Sequence, residues 1–365
     1  MQVTAAVARV PGSELEIVEL DLDEPRSDEL LVRLVATGIC HTDLMARDSP
    51  APMELPAVLG HEGSGIVEQV GSAVRGLAVG DKVVLTWDSC GACRHCLAGS
   101  PAYCAESTLL NRSGRRADFS TSLSESGRPV CGHFFQQSSF ATHALAHPRN
   151  AIKLPDDTSL ERLRLLGPLG CGVQTGAGAI LTAFDARPGS SVAVWGAGSV
   201  GLSAVMAAAS RGCDPIVAMD IKAERLTSAR TFGATHTLDA DADDIVDQVV
   251  AISGGVDYAV ETTGIARVVS AATRSLGIGG HLGLHSRARL GPGGMDIAQM
   301  PPGRTVSFLI EGQCVPQLLI PELLGLHQRG SLPFDQMMTM YAFEDINQAI
   351  ADMSSGKTIK PILVF

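Results

Sequence analysis

Hydrophobic and polar positions follow two different periods along the chain, and the change falls near residue 172. Before it, short apolar runs such as ELLVRLVA, SGIVEQVGS and DKVVLT are separated by Gly, Pro and Asp. Apolar runs of roughly four to eight residues bounded by turn residues are typical of β-strands. Residues 1–172 therefore predict a β-rich domain.

From about Val173 onward, apolar strands alternate with Ala-rich helical segments. SVAVW is followed by SVGLSAVMAAAS, then PIVAMD and KAERLTSARTFGA. This alternation is typical of βαβ units, in which parallel strands are joined by right-handed helical crossovers. Residues 173–311 therefore predict a second domain built on a parallel sheet, with further strands at Val256–Glu261, His281–His285 and Val306–Glu311.

The last segment, residues 312–365, predicts two amphipathic helices, in VPQLLIPELLGLHQRG and FEDINQAIADMSSGK, and a terminal strand, IKPILVF. We expect this tail to rejoin the first domain. A polar stretch rich in Arg and Ser, Ala117–Pro129, predicts a surface loop. A chain of 365 residues exceeds the roughly 150 residues expected of one domain, which also favours two domains.

Composition narrows the possible partners. The formal net charge of −11 would repel nucleic-acid phosphates and anionic lipid heads, so a small molecule is the better candidate. The N-terminus lacks the basic start and apolar run of a secretory signal, which indicates a cytoplasmic protein. The long uncharged stretch Pro188–Ser210 is broken by glycines and serines, so a buried strand, turn and helix explain it better than a membrane span.

Four cysteines, Cys90, Cys93, Cys96 and Cys104, lie within fifteen positions at spacing C-x2-C-x2-C-x7-C. In a reducing compartment such a cluster favours a metal over disulfides, and four thiolates on one loop suit a closed, tetrahedral, structural zinc site. An iron–sulfur cluster and a zinc-ribbon nucleic-acid module are the alternatives, the second disfavoured by the acidic charge. His95 could replace one of the thiolates.

A dinucleotide site is predicted by Gly196-Ala197-Gly198-Ser199-Val200-Gly201, which follows a predicted strand and opens a helix. Gly196 permits the tight turn, Gly198 lets the backbone approach a pyrophosphate, and Gly201 lets helix and strand pack closely. Asp220 ends the next strand, and a carboxylate there favours NAD over NADP. The alternative is a glycine-rich turn in an ordinary α/β domain.

A second, dispersed metal site is indicated by Cys40, His61 and Cys171, which belong to separate predicted loops. Two sulfurs, one imidazole and an open fourth position form the ligand set of a catalytic zinc. Taken singly, the cysteines could be small buried hydrophobic residues and the histidine a hydrogen-bonded turn residue.

The motifs CHTD, GHEGSGIVEQVG, the four-cysteine loop, GPLGCGVQTGAG, GAGSVG and GKTIKPIL occur in this order along the chain. Together they resemble the zinc-dependent medium-chain alcohol dehydrogenases, and FFQQSSFATHAL and LPFDQMMTMYAFEDINQAI resemble most the aryl-alcohol (benzyl alcohol) dehydrogenases among them. The resemblance implies an α/β protein in which a GroES-like β-rich catalytic domain is combined with a Rossmann domain, a doubly wound parallel sheet. It further implies two zinc ions per chain.

The resemblance also implies roles for residues near the metal. Glu62 matches an acidic residue beside the zinc, either an outer partner or an alternate ligand, and Asp43 matches a partner of the ligand imidazole. Thr42 matches a hydroxyl that passes the alcohol proton to the nicotinamide ribose, although it could be a simple turn hydroxyl. Met45 occupies the position where many relatives continue this relay with a histidine, and a thioether cannot carry a proton.

On the cofactor side, the resemblance places His41 and Lys360 at the pyrophosphate and Thr175 beside the nicotinamide. Trp87 would be a wall of an apolar substrate pocket, with core packing an equal alternative. The implied reaction is reversible oxidation of primary aromatic or allylic alcohols by hydride transfer to NAD.

Two other functions stay open: a zinc dehydrogenase for short aliphatic alcohols or thiol-conjugated formaldehyde, and a non-catalytic zinc-stabilised binding protein. The resemblance further suggests a homodimer joined through the Rossmann sheets, with a tetramer as the alternative.

Overall fold

The two periodicities of the sequence correspond to two compact units. The computed structural model describes residues 1–286 and 302–365. Unit 1 comprises Met1–Cys171, Val315–Pro321 and Asp335–Phe365, and unit 2 comprises Gly172–Cys314 and Glu322–Phe334. Part of the range predicted for the second domain, residues 287–301, lies outside the described residues.

The strands in the described part of the chain are, in order, β1 (Gln2–Ala8), β2 (Glu16–Leu22), β3 (Leu30–Gly38), β4 (Ala57–Val58), β5 (Gly63–Val70), β6 (Lys82–Leu85), β7 (Leu123–Glu125), β8 (Arg128–Val130), β9 (His143–Ala146), β10 (Ala151–Lys153), β11 (Val192–Trp195), β12 (Ile216–Asp220), β13 (His236–Asp239), β14 (Val256–Glu261), β15 (Leu276–Leu284), β16 (Thr305–Phe308), β17 (Met338–Ala342) and β18 (Lys360–Val364). The α-helices of the same part are α1 (His41–Asp48), α2 (Arg94–Leu97), α3 (Ser107–Arg112), α4 (Leu160–Leu163), α5 (Gly172–Gly178), α6 (Ser199–Ser210), α7 (Ala223–Thr231), α8 (Ile245–Ser253), α9 (Ala266–Arg274), α10 (Pro316–Gln328) and α11 (Ile346–Ser355).

Unit 1 is the predicted β-rich domain. Among the described residues, one sheet has the order β4-β1-β2-β7-β8, and a second has the order β10-β6-β5-β3-β18-β17 with β9 also paired to β3. Leu30, Val32 and Leu34 alternate along β3 and pack with Val67 and Val83 in a buried cluster. Burial of such side chains stabilises the fold by roughly 1.5–3 kcal/mol each. Strand β3, which also pairs with β5, β9 and β18, is therefore central to this unit.

The C-terminal strand β18 belongs to unit 1, where it pairs antiparallel with β3 and parallel with β17. The sequence analysis predicts that all of residues 312–365 rejoin the first domain. The structure differs for Glu322–Phe334, which groups with unit 2. There the ring of His327 packs against that of Phe334 at 4.5 Å, and Leu323 and Leu332 are buried. These buried side chains belong to the second half of α10 and the residues after it, the part of the tail that groups with unit 2.

The predicted loop at 117–129 is wrong in its second half, which forms the hairpin β7–β8. Leu123 pairs with Val130, and both side chains are buried. The connecting residues Ser126 and Gly127 both have positive φ, 50° and 77°, as the favoured two-residue hairpin turn requires. The three-residue strands are too short for a clear alternation in sequence.

Unit 2 contains a parallel sheet of order β13-β12-β11-β14-β15-β16 within the described residues. This is the strand order of a doubly wound dinucleotide-binding fold. The order reverses between β11 and β14, so a crevice for a ligand is expected at the carboxyl ends of these two strands. The stretch 188–210 forms β11 and α6, the predicted strand, turn and helix. None of the described helices is both long and apolar enough to cross a membrane.

Candidate metal centre and dinucleotide site

Four side chains from three separate segments converge in unit 1. Cys40 directly precedes α1, His61 and Glu62 lie between β4 and β5, and Cys171 directly precedes α5. One potential ligand atom from each, a sulfur, an imidazole nitrogen or a carboxylate oxygen, lies within 4.8 Å of all the others. The structure thus brings together the three ligands proposed from sequence and the carboxylate of Glu62, which the resemblance had placed beside them.

Asp43 holds two of these residues in position. Its Oδ1 lies 2.8 Å from Nδ1 of His61 and accepts the backbone N–H of Gly60 at 3.0 Å, and its Oδ2 accepts the N–H of Cys40 at 2.9 Å. With Nδ1 directed to a carboxylate, Nε2 is the nitrogen left for a metal. Nε2 is buried and has no hydrogen-bond partner among the described residues, which fits a metal ligand.

The surroundings of this nitrogen favour the metal-binding protonation state of the Cys40 sulfur. A hydrogen bond with Cys171 lowers the pKa of Cys40 well below its ordinary value; burial opposes this, and His61 adds to it. A thiolate is the form in which cysteine binds a metal. Burial acts to lower the pKa of His61, but the Asp43 carboxylate and the Cys40 sulfur raise it well above its ordinary value.

Two aromatic rings that sequence reasoning missed pack against the ligand imidazole. Phe135 stacks on His61 with ring centroids 4.5 Å apart, and Phe134 meets it edge-on at 5.6 Å. Phe135 has a φ of 52°, in the left-handed region. The motif FFQQSSFATHAL contained both residues, but no pattern in it indicated which side chain they would contact.

Lys360, for which a pyrophosphate contact is predicted, is buried beside the metal centre. Its side chain is 1% exposed, and its Nζ donates to Oε1 and Oε2 of Glu62 at 2.8 and 2.9 Å and to the carbonyl of Ile39 at 3.1 Å. Because an ammonium has three donors, these three oxygens occupy its hydrogen-bonding capacity. In this structure Lys360 forms an ion pair with Glu62 beside the metal centre, and its contact with the pyrophosphate stays a prediction.

Both partners of this ion pair have shifted pKa values. Burial raises the pKa of Glu62, and the Lys360 charge opposes that effect. Burial acts to lower the pKa of Lys360, but the charges of Glu62, Cys40 and Cys171 together raise it above its ordinary value. Lys360 is therefore the cation of the pair.

The second cluster is the four-cysteine loop. The sulfurs of Cys90, Cys93, Cys96 and Cys104 all lie within 4.8 Å of one another, and none is in a disulfide. Backbone N–H groups point at them: Cys93 donates to the Cys90 sulfur and Cys90 to the Cys104 sulfur, both at 3.2 Å. Backbone donors from Ala105 and Cys96 lower the pKa of Cys93 to about 6. Such donors favour thiolates, the form that binds a metal.

His95 lies outside this cluster. Its Nε2 accepts a hydrogen bond from Arg94 at 3.2 Å, and the four-atom metal group is made of sulfurs alone. An all-sulfur tetrahedral set has no open position for a substrate, so the loop fits a structural rather than a catalytic ion.

The glycine motif of unit 2 forms a tight turn between β11 and α6. Gly196 has a φ of 95°, and a Cβ there would lie 2.5 Å from Oγ1 of Thr262. A Cβ on Gly201 would lie 1.9 Å from the carbonyl oxygen of Gly196. A Cβ on Gly198, by contrast, would meet no atom of the described residues within 4 Å. The first helical turn, which includes Val200, is thus approachable by a ligand at Gly198.

Asp220 ends β12 next to this turn. Its Oδ2 accepts the N–H of Ala197 at 2.8 Å, and its Oδ1 accepts the N–H of Lys222 at 2.9 Å. Arg225, which sequence analysis missed, reaches Oδ2 at 3.6 Å. The carboxylate is therefore held against the glycine turn, at the position where a ribose diol binds in this fold.

The remaining predicted site residues have mixed surroundings. Oγ1 of Thr175 donates to the Glu311 carboxylate at 3.2 Å. Glu311 belongs to none of the motifs recognised in the sequence. His41 is exposed and Thr42 half-buried in the first turn of α1, and Met45 is 51% exposed. Trp87 is 5% exposed, which leaves both of its proposed roles open.

Comparison with known proteins agrees with this architecture. Residues 26–156 match the profile of the alcohol dehydrogenase GroES-like domain, and residues 199–301 match that of the zinc-binding dehydrogenase. Fold and metal centre thus define a zinc-binding dehydrogenase.

Individual relatives match over nearly the whole chain. Geraniol dehydrogenase from Castellaniella defragrans is 42% identical over 99% of this chain and 97% of its own. The crystal structure of benzyl alcohol dehydrogenase from Acinetobacter calcoaceticus is 43% identical with a TM-score of 0.94, covering 100% of this chain and 99% of that one. An alcohol dehydrogenase zinc-binding domain protein from Burkholderia ambifaria is 48% identical with a TM-score of 0.93 over the same shares. The chain belongs to the zinc-dependent medium-chain alcohol dehydrogenase family.

Proposed function

We propose that this protein reversibly oxidises primary allylic or aromatic alcohols to aldehydes, with a zinc ion held by Cys40, His61 and Cys171 and hydride transfer to NAD. The observation that carries the proposal is the convergence of two sulfurs on the unpartnered, buried Nε2 of His61. When bound, zinc supplies a Lewis acid that lowers the pKa of an alcohol in contact with it.

The chain's own residues prepare this chemistry. Asp43 fixes the orientation of the His61 ring through the hydrogen bond to Nδ1. The rings of Phe134 and Phe135 shield that imidazole from water. The Thr42 hydroxyl would take up the alcohol proton as it gives up its own, and the ribose of bound NAD would supply the next acceptor. Beyond that step, Met45 cannot continue a relay, so the proton leaves by another route.

The substrate class is supported by two relatives, one named for geraniol and one for benzyl alcohol, which are allylic and aromatic primary alcohols. A kinetic panel of benzyl alcohol, geraniol, ethanol and formaldehyde plus a thiol tests it. We expect kcat/KM to be highest for the first two. Equal kcat/KM for ethanol and benzyl alcohol would refute this substrate class.

The preference for NAD is supported by the Asp220 carboxylate, which would repel the 2′-phosphate of NADP and accept hydrogen bonds from a ribose diol. Replacement of Asp220 by Gly should shift the ratio of kcat/KM values toward NADP, while leaving the metal content of unit 1 unchanged. An unchanged cofactor ratio would contradict the proposed role.

A count of two zinc ions is supported by the two clusters of ligand atoms. We expect metal analysis of the purified protein to give two zinc ions per chain, and Cys40→Ser to give one with loss of turnover and retention of the fold. Full activity of Cys40→Ser would overturn the catalytic assignment.

We further propose a homodimer formed through the parallel sheet. Among the described residues, β16 pairs only with β15, and Phe308 on β16 is 41% exposed. Light scattering during size-exclusion chromatography distinguishes a dimer from a monomer or a tetramer. A cytoplasmic location is consistent with free, clustered thiols.

A further inference from the structure

The neighbourhood of His61 holds four potential ligand atoms, although a catalytic zinc site uses three protein ligands and an open position. A carboxylate oxygen of Glu62 lies within 4.8 Å of both cysteine sulfurs and the imidazole nitrogen. With four protein donors, zinc would be enclosed, as it is in structural sites. Something must therefore keep Glu62 from acting as the fourth ligand.

The carboxylate of Glu62 occupies a space that a glycine leaves free. A Cβ on residue 38 would lie 2.1 Å from its Oε2, so a glycine at the end of β3 makes the room that the carboxylate occupies. Glu62 itself is fully buried. A buried carboxylate retains its charge only with a compensating partner, here a cation or a metal ion.

Lys360 is that partner in the structure. Its Nζ lies 2.8 and 2.9 Å from the two carboxylate oxygens, and the Ile39 carbonyl, 3.1 Å away, anchors the ammonium from the loop that carries Cys40. The backbone pairing of β18 with β3 sets this geometry, because the N–H of Ile39 donates to the carbonyl of Pro361 at 3.0 Å. Both oxygens of Glu62 are thus engaged by the ammonium of Lys360.

We propose that Lys360 is a positioning residue that keeps the catalytic zinc site open by holding the Glu62 carboxylate in an ion pair. The inference rests on the proposed function, because it assumes a metal ion at Cys40, His61 and Cys171. If the proposal holds, removal of the Lys360 ammonium frees Glu62 to become a fourth protein ligand of the zinc ion. The zinc is then held more tightly, and the coordination position at which an alcohol would bind is lost. A merely structural lysine predicts the opposite, looser metal binding.

The experiment uses Lys360→Met, which keeps the length of the side chain and removes its donors. The matched control is Lys357→Met, a change of an exposed lysine on the same tail that pairs with Asp352. Two readouts are needed: the rate of zinc release to a chelator, and the change in the visible spectrum of the cobalt-substituted protein when imidazole is added. Neither depends on turnover.

For the wild type and Lys357→Met we expect imidazole to perturb the cobalt spectrum. For Lys360→Met we expect zinc release slower by about tenfold and imidazole affinity lower by about tenfold or more, the usual size of effects from residues that orient metal ligands. The double variant Glu62→Gln/Lys360→Met removes the competing carboxylate and should restore imidazole binding. Lys360→Arg should behave as wild type.

The outcomes separate the inference from the function on which it rests. A wild-type protein that takes up cobalt but shows no response to imidazole would overturn both, since it would have no open position. A Lys360→Met protein with wild-type imidazole affinity, or with faster zinc release, would overturn the inference alone. Where Lys360→Met fails to fold, Lys360→Gln gives a graded form of the test, because its neutral amide can donate to Ile39 or Glu62 but supplies no charge. We expect a smaller decrease in imidazole affinity than for Lys360→Met, and wild-type imidazole affinity and zinc release there would also overturn the inference.

Discussion

Asp43 accepts the Nδ1 hydrogen of His61 at 2.8 Å while its other carboxylate oxygen accepts the backbone N–H of Cys40 at 2.9 Å. A single carboxylate thus joins two ligand residues, Cys40 and His61, that are 21 positions apart in sequence. Its contribution is geometric, because it fixes which imidazole nitrogen faces the two sulfurs.

Replacement of Asp43 by Asn should weaken zinc binding at the catalytic centre by about 10–100-fold, because the imidazole loses its charged acceptor and its fixed orientation. Competition with a chelator measures the change. Asp48→Asn, an exposed carboxylate at the end of the same helix, is the control and should retain wild-type affinity. Unaltered zinc affinity in Asp43→Asn would show that the hydrogen bond is dispensable.

Replacement of Cys93 by Ser should destabilise unit 1 without direct damage to the catalytic ligands. Loss of one thiolate removes the metal-binding contribution of the loop, and we expect the Tm to fall by roughly 5–10 °C, equivalent to about 2–3 kcal/mol. Calorimetry with zinc analysis checks both quantities. The matched variant Cys213→Ser, at a buried cysteine outside both clusters, should keep its full zinc content. Full zinc content in Cys93→Ser would contradict the four-sulfur site.

The glycine turn allows a paired test of cofactor binding. Gly201→Ala should destabilise the fold by about 1–3 kcal/mol, because the new Cβ would collide with the carbonyl of Gly196. Gly198→Ala should leave thermal stability nearly unchanged but weaken NAD binding, because its Cβ enters the space through which a pyrophosphate approaches. Thermal unfolding and calorimetric titration with NAD distinguish the two. Unweakened NAD binding in Gly198→Ala would count against a pyrophosphate at this turn.

Stability should decrease on mild acidification because of His133. Burial, with the positive charge of Arg116, lowers the pKa of this histidine to about 4, against an ordinary value near 6.5 in the unfolded chain. Since the unfolded chain takes up this proton first as pH falls, the native state loses up to about 3 kcal/mol between roughly pH 6.5 and pH 4.

Urea unfolding of wild type and His133→Gln across this range measures the loss as a difference between two pH profiles, so that other acid-sensitive groups cancel. We expect the variant to have the flatter profile. Parallel profiles would mean that His133 does not titrate as proposed.

The sequence by itself determined the features that depend on interactions between residues close together in the chain. The four cysteines are so close in sequence that the loop between them closes at a small entropic cost. The structure brings their sulfurs together. The glycine turn and Asp220 follow from one βαβ unit, whose strand and helix have distinct periods. Cys40, His61 and Cys171 were also found, although only in the context of the other motifs.

Only the tertiary structure decided which distant side chains meet at the metal centre. Glu62 and Lys360 are 298 positions apart, and their contact depends on the register in which β18 pairs with β3. The rings of Phe134 and Phe135 reach His61, and Glu311 reaches Thr175, in the same non-local way. Strand register and chain packing arise from the whole core and not from neighbouring residues, so no local motif could reveal that Lys360 pairs with a carboxylate beside the zinc ligands.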